Sequence, residues 1–139
     1  MARLRARFLA DKSALARMTH AVVEGHLRPL LEDGLVATCP IIDLEVLYSA
    51  RSLADYEAVL AERRALEDIP ITPEVTAKAM AVQHALARIG QHRLPISDLL
   101  IAACAEMAGL AVLHYDADYE RIAAVTGQPH QWVAPRGSI

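Results

Sequence analysis

Ser97-Asp98-Leu99-Leu100-Ile101-Ala102-Ala103-Cys104-Ala105-Glu106-Met107-Ala108-Gly109-Leu110-Ala111-Val112-Leu113-His114-Tyr115-Asp116-Ala117-Asp118 is the stretch that decides the fold. Its first half reads as an apolar helix from Ser97 to Ala108, closed by Gly109, a residue that ends helices in a left-handed turn. Leu110 to Tyr115 then reads as a short buried strand with Asp116 at its end. The right-handed crossover of parallel sheets runs such a helix antiparallel to its strand. The helix N-terminus therefore lies beside the strand's C-terminal end, and Asp98 is brought to the same edge as Asp116.

The same grammar extends along the chain. Phe8-Leu9-Ala10 reads as a strand ending at Asp11, and a helix begins at Ser13. A helix over Val22–Asp33 stops at Gly34, and Leu35 to Thr38 is a second strand. Pro40 suits a first helical position, and that helix runs to about Arg51. Ser52 can cap the next helix, with Asp55 three residues on. Asp68 to Ile71 reads as a third strand, kept short or at an edge by Pro70. Thr72-Pro73 opens a helix through Ile89 to Gly90, and Gln91–Pro95 is a loop. Ala117–Thr126 is a last helix, closed by Gly127, and Gln131-Trp132-Val133 a last strand. Strands alternating with helices of ten residues or more predict an α/β fold with a mainly parallel sheet, as one domain over residues 1–139. Arg3, Arg5 and Arg7 alternate with apolar residues, which is odd for a doubly buried strand, so the first strand starts late or these residues extend past the core.

Composition narrows the function. With 139 residues, 54% of them hydrophobic, the chain can bury one substantial core. A net charge of −3 excludes a bulk polycation but leaves room for a local basic rim. Cys39 and Cys104 make neither a disulfide framework nor a zinc cluster and fit a reducing cytoplasm. The apolar stretch after the N-terminal arginines ends at Asp11, too short for a signal core, and no run is long enough for a membrane span.

The chemistry lies in acids at the edges of apolar segments: Asp11, Glu45, Asp98 and the Asp116/Asp118 pair. Ligands of open parallel sheets gather outside the carboxyl ends of the strands. Asp11, Asp98 and Asp116 share that edge, and Glu45 lies in the first two turns of the helix after the second strand, on the side of Ile41, Ile42 and Tyr48, expected to turn inward. Helix capping is the plain alternative for Asp11, Asp98 and Asp116/Asp118 singly, but not for a mid-helix Glu45. Crowded carboxylates raise one another's pKa unless a cation is present. An oxygen-only set selects a hard cation, Mg²⁺ or Mn²⁺, and the chemistry that fits is phosphodiester hydrolysis. Arg51, Arg63, Arg64, His92 and Arg93 are candidates for gripping a nucleic acid, His92-Arg93 foremost because their loop leads into the helix of Asp98. Tyr119 and Trp132 could stack on bases. Solvated charge and core filling are the bland alternatives.

At these residues the sequence resembles a PIN-domain ribonuclease of the VapC toxin type. The resemblance runs from about Phe8 to Val133 and is carried by Gly90-Gln91-His92-Arg93, Asp98-Leu99-Leu100-Ile101-Ala102-Ala103 and His114-Tyr115-Asp116-Ala117-Asp118-Tyr119 in that order, supported by Asp11-Lys12-Ser13-Ala14-Leu15 and Leu44-Glu45-Val46. It implies a three-layer α/β/α sandwich and RNA cleavage dependent on Mg²⁺ or Mn²⁺. It also implies a homodimer and inhibition by a VapB-like antitoxin in a type II toxin–antitoxin pair. Asp11, Glu45, Asp98 and Asp116 match the family's acidic quartet, with Asp118 close by, and Ser13 matches the hydroxyl residue that supports the first aspartate. Lys12 and Tyr115 depart from the small hydroxyl and threonine usual there. An arginine inserted by a partner into the acidic pocket would displace the cation and block substrate. A non-catalytic binding module and a DNA-directed nuclease are the rival readings. A HAD-like phosphatase, suggested by Asp116-Ala117-Asp118, is set aside because its D-x-D belongs on an early strand.

Overall fold

A computed structural model describes residues 4–139. The strands are β1 (Phe8–Ala10), β2 (Val36–Thr38), β3 (Glu67–Asp68), β4 (Ala111–His114) and β5 (His130–Trp132). The helices are α1 (Lys12–Leu15), α2 (Ala21–Glu32), α3 (Pro40–Tyr48), α4 (Leu53–Arg64), α5 (Pro73–Ala87), α6 (Ile96–Ala108) and α7 (Asp118–Thr126). All strand pairs are parallel, in the order β3-β2-β1-β4-β5. The order reverses at β1: β2 and β3 build out one way, β4 and β5 the other. The crevice beyond the ends of β1 and β4 is thus the switch point where ligands of such sheets bind.

Alternation along each strand makes the layers. Leu9, Ala37 and Val112 point into a core shared with α3, α5, α6 and α7. Their neighbours Ala10, Val36 and Leu113 point to the opposite face, covered by Ala14 of α1 and Val23 and Leu27 of α2. The result is the expected α/β/α sandwich, with both sheet faces apolar because both are covered.

Several boundaries differ from the sequence reading. The first strand starts late, at Phe8; Ala6 is buried, while the backbone N–H groups of Arg5 and Ala6 donate to Glu67 Oε1. Arg3 falls outside the described residues. The third strand is Glu67–Asp68 rather than Asp68 to Ile71. Ile69 N–H still donates to Thr38 O at 2.8 Å, and Pro70, with no N–H, ends the pairing. The helix after Pro40 ends at Tyr48, three residues before the Arg51 expected, with Ser49 N–H closing its last turn. Ser52 Oγ does accept from Asp55 N–H at 3.0 Å, but Asp55 Oδ2 accepts from Arg51 N–H, one residue beyond the Ser52 N–H that a full capping box would use. The helix from Pro73 ends at Ala87, and Gly90 takes φ 71° in the turn that follows. No helix among the described residues is long and apolar enough to cross a membrane.

Candidate metal centre

Each acid is positioned by the element that carries it. Asp11 leaves β1 with its N–H bonded to Leu113 O of β4 at 2.9 Å, so the ends of the two central strands are tied together. Its Oδ2 caps α1 by accepting from Ser13 N–H at 3.0 Å, while its Oδ1 accepts from the Tyr119 hydroxyl at 2.8 Å. The capping reading is therefore correct for Asp11 and compatible with a place in the cleft. Ser13 adds a second tie: its Oγ accepts from Tyr115 N–H at 2.9 Å, joining α1 to the end of β4.

Asp98 caps nothing. It is the third residue of α6, whose N-cap position is Pro95, and its Oδ2 is buried without a hydrogen-bond partner. Its Oδ1 lies 3.4 Å from the Tyr119 hydroxyl. Burial, and then the charges of Asp11, Asp116, Asp118 and Glu45, push the Asp98 carboxyl up to about 8. Asp116 Oδ1 accepts from Asp118 N–H at 2.9 Å in a turn that starts α7. Asp98, Asp116 and Asp118 each offer an oxygen within 4.8 Å of the others.

Glu45 lies across the cleft, half-buried, with Oε1 unpartnered. Burial, then the charge of Asp11, raises its carboxyl, and Lys12 opposes them. Asp11, Glu45, Asp98 and Asp116 line one open cleft of 360 Å³. The inward turn expected for its side of α3 holds only in part: Ile42 is buried, but Tyr48 is 88% exposed.

The residues fit a divalent cation. Two buried carboxylate oxygens have no protein donor, and Asp98 resists ionisation because it is buried and faces four other carboxylates. A cation bound among Asp98, Asp116, Asp118 and Asp11 would give the buried Asp98 oxygen a partner and offset the charges around it, and hard oxygen ligands select a hard ion.

The candidates for gripping nucleic acid divide. His92 and Arg93 are exposed and line a separate depression with Gly90 and Arg121, and Arg121 Nη1 reaches Asp118 Oδ1 at 3.0 Å. Arg51 and Arg64 are exposed. Arg63 is not available: it is buried, with Nε on Asp43 Oδ1 at 2.9 Å and Nη2 on Thr38 Oγ1 at 2.6 Å.

Nor does Tyr119 stack on bases. It is 2% exposed, and its hydroxyl is committed to Asp11. Trp132 donates Nε1–H to Glu120 at 2.8 Å at the sheet edge. Sequence reasoning missed His114, fully buried, whose Nδ1 accepts from Asp116 N–H at 3.0 Å. That bond fixes the tautomer with hydrogen on Nε2, which points to His130 Nδ1 at 2.9 Å. Burial, then the charge of His130, holds His114 down to about 4, so it stays neutral. A buried polar ring two residues before Asp116 was the available signal, since such rings need partners.

This arrangement has known counterparts. The sequence profile of the PIN domain matches residues 9–125. Ribonuclease VapC51 of Mycobacterium tuberculosis is 44% identical over 133 residues, 96% of this chain and 97% of that one. Ribonuclease VapC21 of the same species is 47% identical, with 95% and 97% covered. Among solved structures, the DNA-bound VapBC of Salmonella typhimurium superposes with a TM-score of 0.76 at 19% identity, covering 93% of this chain and 99% of that one, which is a likeness of fold. With its crossover topology, its acidic cleft at the switch point and relatives of this closeness along nearly its whole length, the chain belongs to the PIN-domain family, in its VapC branch.

Proposed function

We propose that this chain is a metal-dependent endoribonuclease that acts as the toxin of a type II toxin–antitoxin pair. Its curated relatives are named as ribonucleases, which favours RNA over DNA and a working enzyme over a silent binding module. The observation that carries the reading is the convergence on one cleft of carboxylates whose buried oxygens, on Asp98 and Glu45, lack protein partners. Asp11, Asp98 and Asp116 would hold Mg²⁺, or Mn²⁺ in its place, with Asp118 completing the set. A divalent ion there supplies positive charge for the phosphorus centre and acidifies water.

The protein's own residues do the rest. Tyr119 and Ser13 N–H hold the Asp11 carboxylate in one orientation, and His114 holds the backbone of Asp116. Glu45, whose carboxyl is raised by burial and then by the charge of Asp11, would take the proton from an attacking water. His92 and Arg93 would meet the RNA beyond the cleft. A VapB-like antitoxin would silence the enzyme by placing a cationic side chain among the carboxylates, and the toxin would act as a homodimer. Two free buried cysteines suit the reducing cytoplasm as the place of action.

The test is cleavage of RNA and of DNA of matched sequence by antitoxin-free protein, with Mg²⁺, with Mn²⁺ and with EDTA. RNA cleavage that needs the ion and is lost in Asp98→Ala is expected. RNA bound but uncut in every metal would leave only a binding module.

A further inference from the structure

The acidic cleft carries two cations on its rim, and neither is neutralised by a carboxylate. Lys12 and Arg17 line it beside Asp11, Glu45 and Asp98. Among the described residues neither makes an ion pair within 4.0 Å, although the carboxylates are the nearest high density of opposite charge. Each is held instead by an aromatic face. The Arg17 guanidinium lies 4.6 Å from the Tyr115 ring centre, and its Nη1 donates to Ser13 O at 2.8 Å. The Lys12 ammonium lies 5.9 Å from the Tyr48 ring centre. Tyr48 follows Glu45 by one helical turn and lines a second depression with Lys12, Leu44 and Glu45. Its ring is 88% exposed, so it contributes little to the core.

A cation drawn wholly into the carboxylates would compete with the metal. One restrained by a ring and a carbonyl keeps its remaining donors for a second anion. A flat exposed ring next to an ammonium matches the two parts of a nucleotide, a base to stack and a phosphate to pair. An acidic peptide would satisfy Lys12 and Arg17 but offers no planar group to Tyr48.

We propose that Lys12, Arg17 and Tyr48 form a ribonucleotide-binding rim. Arg17 and Lys12 take backbone phosphates flanking the scissile one, and Tyr48 stacks on an adjacent base. This rests on the nuclease reading and names the residues that would position its substrate.

The test measures binding of a single-stranded oligoribonucleotide across a salt series in the cleavage-silent Asp98→Asn background, and steady-state cleavage with Mn²⁺ in the Asp98 protein. Arg17→Gln and Lys12→Gln should each weaken binding and lower the salt slope by about 0.7. Tyr48→Ala should weaken binding about tenfold with the slope unchanged, and Tyr48→Phe should restore it, since stacking needs the ring and not the hydroxyl. In the cleaving protein the losses in Arg17→Gln and Tyr48→Ala should fall on KM, with kcat held within about twofold.

Tyr48 is solvent-exposed, so Tyr48→Ala tests the idea even if an α1 variant unfolds, which thermal melting would reveal. Folded variants with unchanged RNA affinity and slope would overturn the proposal, as would losses confined to inhibition by an antitoxin. If the parent protein cuts no RNA, the nuclease reading fails by itself, and the salt series still decides whether the rim binds RNA.

Discussion

The Tyr119 hydroxyl donates to Asp11 Oδ1 at 2.8 Å, a bond from the first turn of α7 to the end of β1 through the floor of the acidic cleft. The ring is 2% exposed, and burial followed by the charges of Asp11 and Asp98 raises its phenol well above the ordinary range, so it stays a donor. Tyr119→Phe leaves a buried carboxylate oxygen without its donor. The expected cost is about 1–2 kcal/mol in a urea titration of metal-free protein. Because supporting bonds of this kind orient metal ligands, Mn²⁺ affinity by calorimetry should fall by about 10-fold or more. Unchanged affinity and stability would mean that the phenol merely fills space.

The raised carboxyl of Asp98 makes stability depend on pH. Its folded value is about 8 against an ordinary 3.8, so between these limits the folded protein binds more protons than the unfolded chain. The stability of metal-free protein relative to Asp98→Asn, which cannot ionise, should therefore fall as pH rises from about 4 to about 8; His114, held down to about 4, acts in the opposite direction below its ordinary 6.5 in both proteins. Mn²⁺ reverses the disadvantage of the charged form, so its stabilising effect should grow with pH over the same window. Melting temperatures at pH 5 and pH 8, with Mn²⁺ and with EDTA, for both proteins check this. A metal-free parent protein more stable at pH 8 than at pH 5, relative to Asp98→Asn, would contradict it.

Ser13 Oγ accepts from Tyr115 N–H across the gap between α1 and β4. Ser13→Ala leaves that N–H unpaired in a half-buried position, at a cost of about 1 kcal/mol. Ser13→Thr keeps the acceptor and should recover most of the loss. Equal loss in both variants would locate the effect in packing rather than in the bond.

The meeting of Asp98 and Asp116 was legible in the sequence because the crossover rule places the start of one helix beside the end of the next strand, whatever the side chains do. Asp11 followed from the same edge rule. Side-chain orientation was less legible. Tyr48 was expected to turn inward with Ile42, but it is the last residue of α3, and its ring stays exposed beside Lys12. Tyr119 and Arg63 were read as candidates for nucleic-acid contact, and their buried partners were not legible for a different reason. A phenol or guanidinium is buried only when its partner arrives from elsewhere in the chain, and Asp11 and Asp43 reach them through the tertiary fold alone. Neither partner leaves a periodic trace near the residue it satisfies.

Arg63 is the clearest case to test, because its charge invites a role in RNA binding that its surroundings deny. Its side chain is 8% exposed and that of Asp43 23%; Thr38 Oγ1 donates to Asp43 Oδ1 at 2.7 Å and accepts from Arg63, closing a triangle between β2, α3 and α4. Arg63→Ala leaves the Asp43 carboxylate with the Thr38 hydroxyl but without its counter-charge, and because Asp43 is partly solvated the cost should be about 2–3 kcal/mol, below that of a fully buried pair. Within the folded fraction, RNA cleavage should stay within about twofold and the salt slope of RNA binding should not change. A slope lowered as much as in Arg17→Gln, without loss of stability, would show that the guanidinium leaves its pocket to reach phosphate.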